Sequence, residues 1–207
     1  MATNPWWAPW TLNRIIEPLM RSLRIQTPSL AGMKAGDRAL DICCGTGALV
    51  LHLAKMNLVS CGIDMDPRVI QVAEKKRVKL GLEAASFQVA NALNVPFEDD
   101  FFDYASVSMT LHENPTAERD IIISEMRRVV KKEGALVFID YKVPMPKIPS
   151  SYTSKIVELI AGKEHNKCFK DYLQQGGLDE LLKKNNLRAE KRGELGPLTI
   201  TITLNNR

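Results

Sequence analysis

Residues 39–54 read ALDICCGTGALVLHLA, and the fold turns on how this stretch is read. Ala39–Cys44 is an apolar run of strand length. Cys43 and Cys44 close it, Gly45-Thr46-Gly47 follow, and Ala48–Lys55 is an apolar helix. A chain that turns this tightly from strand to helix needs backbone that L side chains resist, and glycine takes it without steric penalty. The first N–H groups of the helix then have no partner within it and face whatever binds at the strand's end. Asp41 sits beside that turn. The pattern is that of a ligand-binding turn at the carboxyl edge of a parallel sheet.

Working outward, strand-like and helix-like segments alternate. Strands are predicted at Ala39–Cys44, Ser60–Asp64, Ser86–Ala90, Tyr104–Met109 and Ala135–Tyr141. Helices are predicted at Ala48–Lys55, Pro67–Leu80 and Ala117–Lys131, with Gly134 ending the third. Such alternation argues an α/β sheet covered on both faces. The run Ala135–Tyr141 is nearly all apolar, as expected of a strand buried on both sides. The alternation breaks at VPMPKIPS, residues 143–150, whose prolines make a stiff connection. A polar helical segment follows, then a helix at Leu178–Lys184. Arg188–Glu194 and Leu198–Leu204 read as closing strands, joined by LGP into an antiparallel hairpin. Ahead of the sheet, Leu12, Ile15, Ile16, Leu19, Met20 and Leu23 form an apolar helical stripe, which Pro18 is expected to kink.

Composition narrows the function classes. The chain has 207 residues, of which 45% are hydrophobic, and a net charge of +4, which suits one globular domain. No apolar run approaches the ~20 residues of a bilayer span, and residues 1–10 do not read as a secretory signal, so a cytoplasmic location is expected. Cys43, Cys44, Cys61 and Cys168 form no CxxC pair and read as reduced thiols. The three histidines make no HExxH motif or Cys/His cluster, so no metal site is expected. The basic groups Lys75, Lys76, Arg77, Lys183 and Lys184 read as solvated helix faces rather than a nucleic-acid surface.

The turn narrows the cofactor. Val50 stands where a dinucleotide fingerprint has its third glycine, and there is no GxxxxGK[ST] loop. The second strand ends in CGIDMD, where the Asp64 carboxylate is placed to grip both hydroxyls of a ribose. That feature alone suits NAD or another adenosine cofactor. Asn91 and Ala92 follow the third strand, where an amide can read an adenine edge.

Four stretches then carry a resemblance: LDICCGTG (40–47), GIDMD (62–66), NALNVPFEDDFFDYASVSMTLHE (91–113) and EMRRVVKKEGALVFIDY (125–141). Together they resemble class I S-adenosylmethionine-dependent methyltransferases, in the small-molecule branch of menaquinone and ubiquinone C-methyltransferases. The resemblance implies a Rossmann-like, seven-stranded, mostly parallel sheet of order 3-2-1-4-5-7-6 with the last strand antiparallel and helices on both faces. It also implies S-adenosylmethionine as cofactor, held by Asp41, Cys43, Cys44, Gly45, Thr46, Gly47, Asp64, Met65, Asn91, Ala92, Ser108 and Met109. Many relatives carry Asp at the position of Asn91; an amide still accepts from adenine, so binding with altered affinity is expected. A single domain is implied, with a helical lid at 1–30, a cofactor core at 38–141 and a substrate-covering segment and hairpin at 142–207.

Methyl transfer from a sulfonium is an in-line displacement, so the protein mainly aligns the reactants, and a base is needed only when the acceptor must lose a proton. His112 and Asp140, at the ends of the fourth and fifth strands, are the catalytic candidates. His112 reads as a base, a substrate hydrogen-bond partner or a backbone cap. Asp140 reads as a site carboxylate or a turn cap. Trp6, Trp10, His112, Tyr141, His165 and Tyr172 are the substrate-binding candidates. The plainer readings are a hydrophobic flap for the tryptophans, a packed ring for Tyr141 and a solvated helix face for His165 and Tyr172. Cys43 and Cys44 suggest thiol chemistry, but small buried side chains explain them better. The fourth strand ends in SMTLHE rather than the [DN]PP[YF] of base amino-methylation, so the expected partner is a small-molecule acceptor, with no nucleic acid and no stable membrane insertion. The alternatives are a non-catalytic cofactor-binding subunit and a nicotinamide-dependent oxidoreductase.

Overall fold

The computed structural model describes the backbone of residues 8–207 and the side chains from Met20 onward. Trp6 and Trp7 lie outside the described residues, as does the side chain of Trp10.

The sheet has seven strands: β1 (Arg38–Ile42), β2 (Val59–Asp64), β3 (Ala85–Val89), β4 (Phe102–Ser108), β5 (Val130–Tyr141), β6 (Ala189–Leu195) and β7 (Leu198–Leu204). Their order is β3-β2-β1-β4-β5-β7-β6. β1 to β5 pair in parallel, and β7 runs antiparallel to both β5 and β6. The chain leaves β1 toward β2 and β3, then returns to lay β4 on the other side of β1. That reversal opens a crevice beyond the carboxyl ends of β1 and β4, where open α/β sheets bind ligands.

Helices α1 (Ala8–Ala31), α2 (Ala48–Lys55), α3 (Pro67–Leu80) and α4 (Thr116–Val129) flank the sheet. Asp66 caps α3 by accepting from the Arg68 N–H at 2.8 Å, and Pro67 at the first helical position needs no N–H partner. The helical segment expected between β5 and β6 is three helices: α5 (Pro149–Ile160), α6 (Lys163–Gln174) and α7 (Gly177–Lys184).

The structure moves several expected boundaries. The first strand stops at Ile42, and Cys43 is already left-handed, with φ 57°. The helix expected to reach Lys131 ends at Val129 and passes straight into β5. Gly134 therefore does not end a helix. It lies within β5 at the bulge against β4, where an added Cβ would stand 2.6 Å from the Asp103 carbonyl oxygen. α1 runs as one helix from Ala8 to Ala31 and includes Pro18.

The main core joins β1, β4, β5 and β7 to α4. β5 is buried on both faces from Ala135 to Tyr141. Both faces of β7 are covered too, including its alternate residues Thr199, Thr201 and Thr203. A smaller cluster packs Cys44, Val50, Leu51, Ala54, Ile70 and Ala85 beneath α2 and α3.

Candidate active site

The turn after β1 is held from the neighbouring strand. The Gly45 N–H donates to Asp64 Oδ2 at 2.9 Å, and the Asp66 N–H donates to Asp64 Oδ1 at 3.0 Å. Each carboxylate oxygen thus accepts one backbone bond and retains a lone pair for a ligand hydroxyl. Gly45 has φ 52°, and an added Cβ there would meet nothing within 4 Å. Gly47 differs. Its φ is 74°, and an added Cβ would stand 2.4 Å from the Phe87 ring and 3.0 Å from Ala73. Gly45 keeps space open in front of the turn, while Gly47 seats α2 against β3 and α3. Gly47 thus supplies the close packing that a third fingerprint glycine supplies elsewhere.

Asp41 pairs across β1 and β4 with Ser106, whose hydroxyl donates to Asp41 Oδ1 at 2.7 Å. Burial pushes the Asp41 carboxyl up to about 7, against the Ser106 hydrogen bond and the charge of Arg24, with Asp64 adding to the rise. Neither Ser106 nor Arg24 was among the expected site residues; the signal for Ser106 is its place opposite Asp41 once β4 is laid beside β1. Burial likewise pushes the Cys43 thiol up to about 12 and raises that of Cys44, so both stay protonated and packing is their role.

Met65 is 65% exposed beside the turn, an apolar surface at the tip of β2. The Asn91 side-chain oxygen accepts from the Leu93 N–H at 2.9 Å, so the amide closes its own turn with one lone pair left over. Ala92 packs on the main core. Thr46 is tied to Lys76, whose ammonium donates to its hydroxyl at 2.8 Å. At the end of β4, Ser108 Oγ is buried without a hydrogen-bond partner, and Met109 is left-handed with φ 54°. An orphaned hydroxyl, an open glycine cradle and an exposed apolar side chain therefore line one edge, which fits a nucleoside carrying a polar, charged tail.

A second group lies after β4 and β5. His112 stands on a 3-10 turn (Leu111–Glu113) and is fully enclosed. Its Nδ1 lies 2.6 Å from Asp140 Oδ1, and its backbone N–H donates to Asp140 Oδ2 at 3.3 Å. Asp140 also accepts from the Tyr141 N–H at 2.7 Å. Tyr141 is buried, and its hydroxyl donates to Glu158 Oε1 at 2.8 Å. His165 reaches back from α6 to bond the other oxygen of Glu158. Tyr172 is buried and donates to the Tyr141 carbonyl at 3.0 Å, so α6 turns His165 and Tyr172 inward and not onto a solvated face. Glu113 is half-exposed, with its Oε1 3.9 Å from His112 Nε2.

Burial alone would lower the His112 pKa, but the Asp140 and Glu158 carboxylates override it and hold it well above its ordinary value. Burial would likewise raise that of Glu158, but the neighbouring imidazoles of His112 and His165 hold it well below the usual carboxylate range. Buried Arg119 locks α6 against the turn, donating to the Leu111 carbonyl at 2.8 Å, to Asp171 at 3.0 Å and to the Cys168 carbonyl at 2.7 Å. Glu158 and Arg119 were not among the expected residues. No local pattern marks them, since only the fold turns Glu158 and Arg119 inward.

Known proteins resemble this chain in sequence and fold. Residues 33–186 match the family described as methyltransferase domain. A demethylmenaquinone methyltransferase of Bacillus cytotoxicus is 30% identical over 196 residues, covering 88% of this chain and 81% of that protein. Among solved structures, a SAM-dependent methyltransferase from Aquifex aeolicus aligns with TM-score 0.65 at 21% identity, covering 87% of this chain and 88% of that one. A phosphoethanolamine N-methyltransferase of Haemonchus contortus, solved in complex with S-adenosyl-L-methionine, aligns with TM-score 0.69 at 16% identity, covering 90% of this chain and 53% of that one.

Proposed function

We infer the reaction from one premise: the chain belongs to the methyltransferase-domain family and is an S-adenosylmethionine-dependent methyltransferase acting on a small molecule. The acceptor is an apolar aromatic of the demethylated quinol class. The name of the Bacillus cytotoxicus relative supports that reading, and so does one feature of this chain. Tyr152, Ile156, Leu159 and Ile160 form an exposed apolar stripe along α5, the helix that carries Glu158 to His112. An exposed apolar patch beside a site marks a binding surface.

When bound, S-adenosylmethionine supplies a methyl group made electrophilic by its sulfonium. The observation that carries the cofactor assignment is the open left-handed Gly45 beside the half-used carboxylate of Asp64. Asp64 accepts from the ribose hydroxyls, and Met65 offers its exposed side chain to the adenine. Asn91 reads the base edge with its remaining lone pair, and Ala92 lets the ring come close. Asp41 counters the positive charge of the methionine portion, and Ser108 Oγ finds there the partner it lacks within the chain. Cys43, Thr46 and Met109 shape the backbone around that space. His112 is enclosed with its Nδ1 held by Asp140, so it does not reach the acceptor. With Asp140, it fixes the 3-10 turn that walls the acceptor side, while His165, Tyr141 and Tyr172 hold α5 and α6 behind it. Chemistry therefore rests on alignment and exclusion of water.

The test is methyl transfer from labelled cofactor to a short-chain demethylmenaquinol, with the product identified by mass spectrometry. Saturable cofactor binding together with a singly methylated naphthoquinol supports the reading. Cofactor binding with no transfer to any quinol overturns the acceptor, and binding of NADH in place of S-adenosylmethionine overturns the cofactor.

A further inference from the structure

The group behind the 3-10 turn has a property that methyl transfer does not require. His112, Glu158 and His165 each offer a ligand atom, and the three atoms lie within 4.8 Å of one another. His112 and Glu158 are buried, and His165 is nearly so. His112 Nε2 is enclosed and makes no hydrogen bond. Its nearest acceptors are Glu158 Oε1 at 3.5 Å and Glu113 Oε1 at 3.9 Å, both beyond good bonding distance.

We propose that His112, Glu158 and His165 form a binding site for a divalent ion of the zinc class. Two imidazoles and one carboxylate are a donor set that suits zinc, cobalt and ferrous iron. A tetrahedral ion with bonds of about 2.1 Å sets its ligand atoms about 3.4 Å apart, close to the observed spacing of His112 Nε2 and Glu158 Oε1. The direct bond between Glu158 and His165 opens to admit the ion, which displaces any proton held on His112 Nε2 and His165 Nε2 to solvent. What lies behind the ligands also fits. Asp140 takes His112 Nδ1 at 2.6 Å, which fixes the ring and leaves Nε2 as the ligating atom. The Tyr141 hydroxyl steadies Glu158 at 2.8 Å. Tyr141, Phe169 and Tyr172 surround the imidazole with rings and make the site dry. Glu113, on the exposed side, is placed to complete the coordination or to leave a position for water. The ion would join β4, β5, α5 and α6 at one point and set the wall of the acceptor pocket. The site stands on these side chains alone, whichever acceptor the enzyme uses.

The test uses the full chain, stripped with chelator and titrated with cobalt(II) chloride. One equivalent is expected to bind, with visible d–d absorption of a four- or five-coordinate ion and a higher melting temperature. Glu158→Gln and His165→Ala are each expected to weaken binding by about 100-fold, with cooperative thermal unfolding as the check that they fold. X-ray absorption at the cobalt edge of the wild-type protein gives a readout that needs no variant, and imidazole and oxygen scattering are expected. Failure of the wild type to bind a stoichiometric ion overturns the site. So does unchanged affinity in both folded variants, or sulfur scattering, which would place the ion on cysteines.

Discussion

Gly45 and Gly47 are both left-handed, yet a methyl group at each meets a different environment. Gly45→Ala faces open space and carries only backbone strain, about 1–2 kcal/mol. Its Cβ fills the cradle, so cofactor affinity is expected to fall far more than stability. Gly47→Ala adds a clash with Phe87 to the same strain and is expected to cost about 2–4 kcal/mol of folding stability. Urea denaturation and calorimetry on the two variants separate the roles, and equal stability losses would show that the turn is not divided this way. Asp41 gives the second residue-scale prediction. Its carboxyl moves from an ordinary 3.8 to about 7 in the folded chain, mainly through burial. Below about pH 4 it is protonated folded and unfolded, so it costs nothing. As pH rises to about 7 the unfolded chain ionises first, and the folded state loses up to roughly 4 kcal/mol relative to it. Asp41→Asn removes the penalty, so the variant should match the wild type near pH 4 and exceed it in stability at pH 8. A stability difference that does not change with pH would contradict this assignment. Cofactor binding should show the reverse trend in the wild type, weakening as pH falls below 7, because a protonated Asp41 has no charge to offer a cationic tail.

At the scale of elements, β1, β2, β4 and β5 are legible in the chain because local and tertiary demands agree there. Ala135–Tyr141 is apolar except for Asp140 because both its faces are covered, and Asp64 ends its strand because the carboxylate must reach the turn. Where the two demands part, the reading fails. Gly134 looks like a helix stop, but it is small because the Asp103 carbonyl crowds it from the next strand. Cys43 carries no sign of its left-handed backbone, since only the bend after β1 imposes it. Helices α5 and α6 were hardest to read, because His165 meets Glu158 only when both helices fold back over the 3-10 turn. The outer face of α5 carries the prediction at this scale. Ile156 is 57% exposed and Leu159 63%, and burying such side chains against an apolar acceptor contributes about 1.5–3 kcal/mol each. The pair Ile156→Glu and Leu159→Glu should raise KM for a prenylated quinol by tenfold or more while leaving calorimetric affinity for the cofactor unchanged. An unaltered KM would remove α5 from the acceptor surface.

For the whole molecule, the seven strands divide the labour between their two ends. The β1–β4 reversal could be anticipated from the glycine turn, whereas the insertion of β7 between β5 and β6, borne out here, came from the family resemblance and not from LTITITL itself, which shows only that a strand exists. That insertion makes the far end of the sheet antiparallel, and α1 packs across it. Left-handed Cys43 and Met109, the unpartnered Ser108 hydroxyl and the buried charge of Asp41 instead gather at the carboxyl ends of β1 and β4. Backbone strain and unmet polar groups concentrated at one edge mean that this edge gains most when a ligand arrives. S-adenosylhomocysteine at about 100 times its Kd should therefore stabilise the fold by about 2.7 kcal/mol, a melting shift of roughly 5–11 °C for a chain of this size. Hydrogen exchange should slow at residues 43–47, 64–65, 91–93 and 108–110, while the β6–β7 hairpin keeps its rate. The stabilisation is local in origin and global in effect, because the strands that end at the crevice are the same ones that form the core. Protection spread evenly over both ends of the sheet would mean instead that the ligand acts by tightening the whole fold, and that strain at the carboxyl edge has no part in binding.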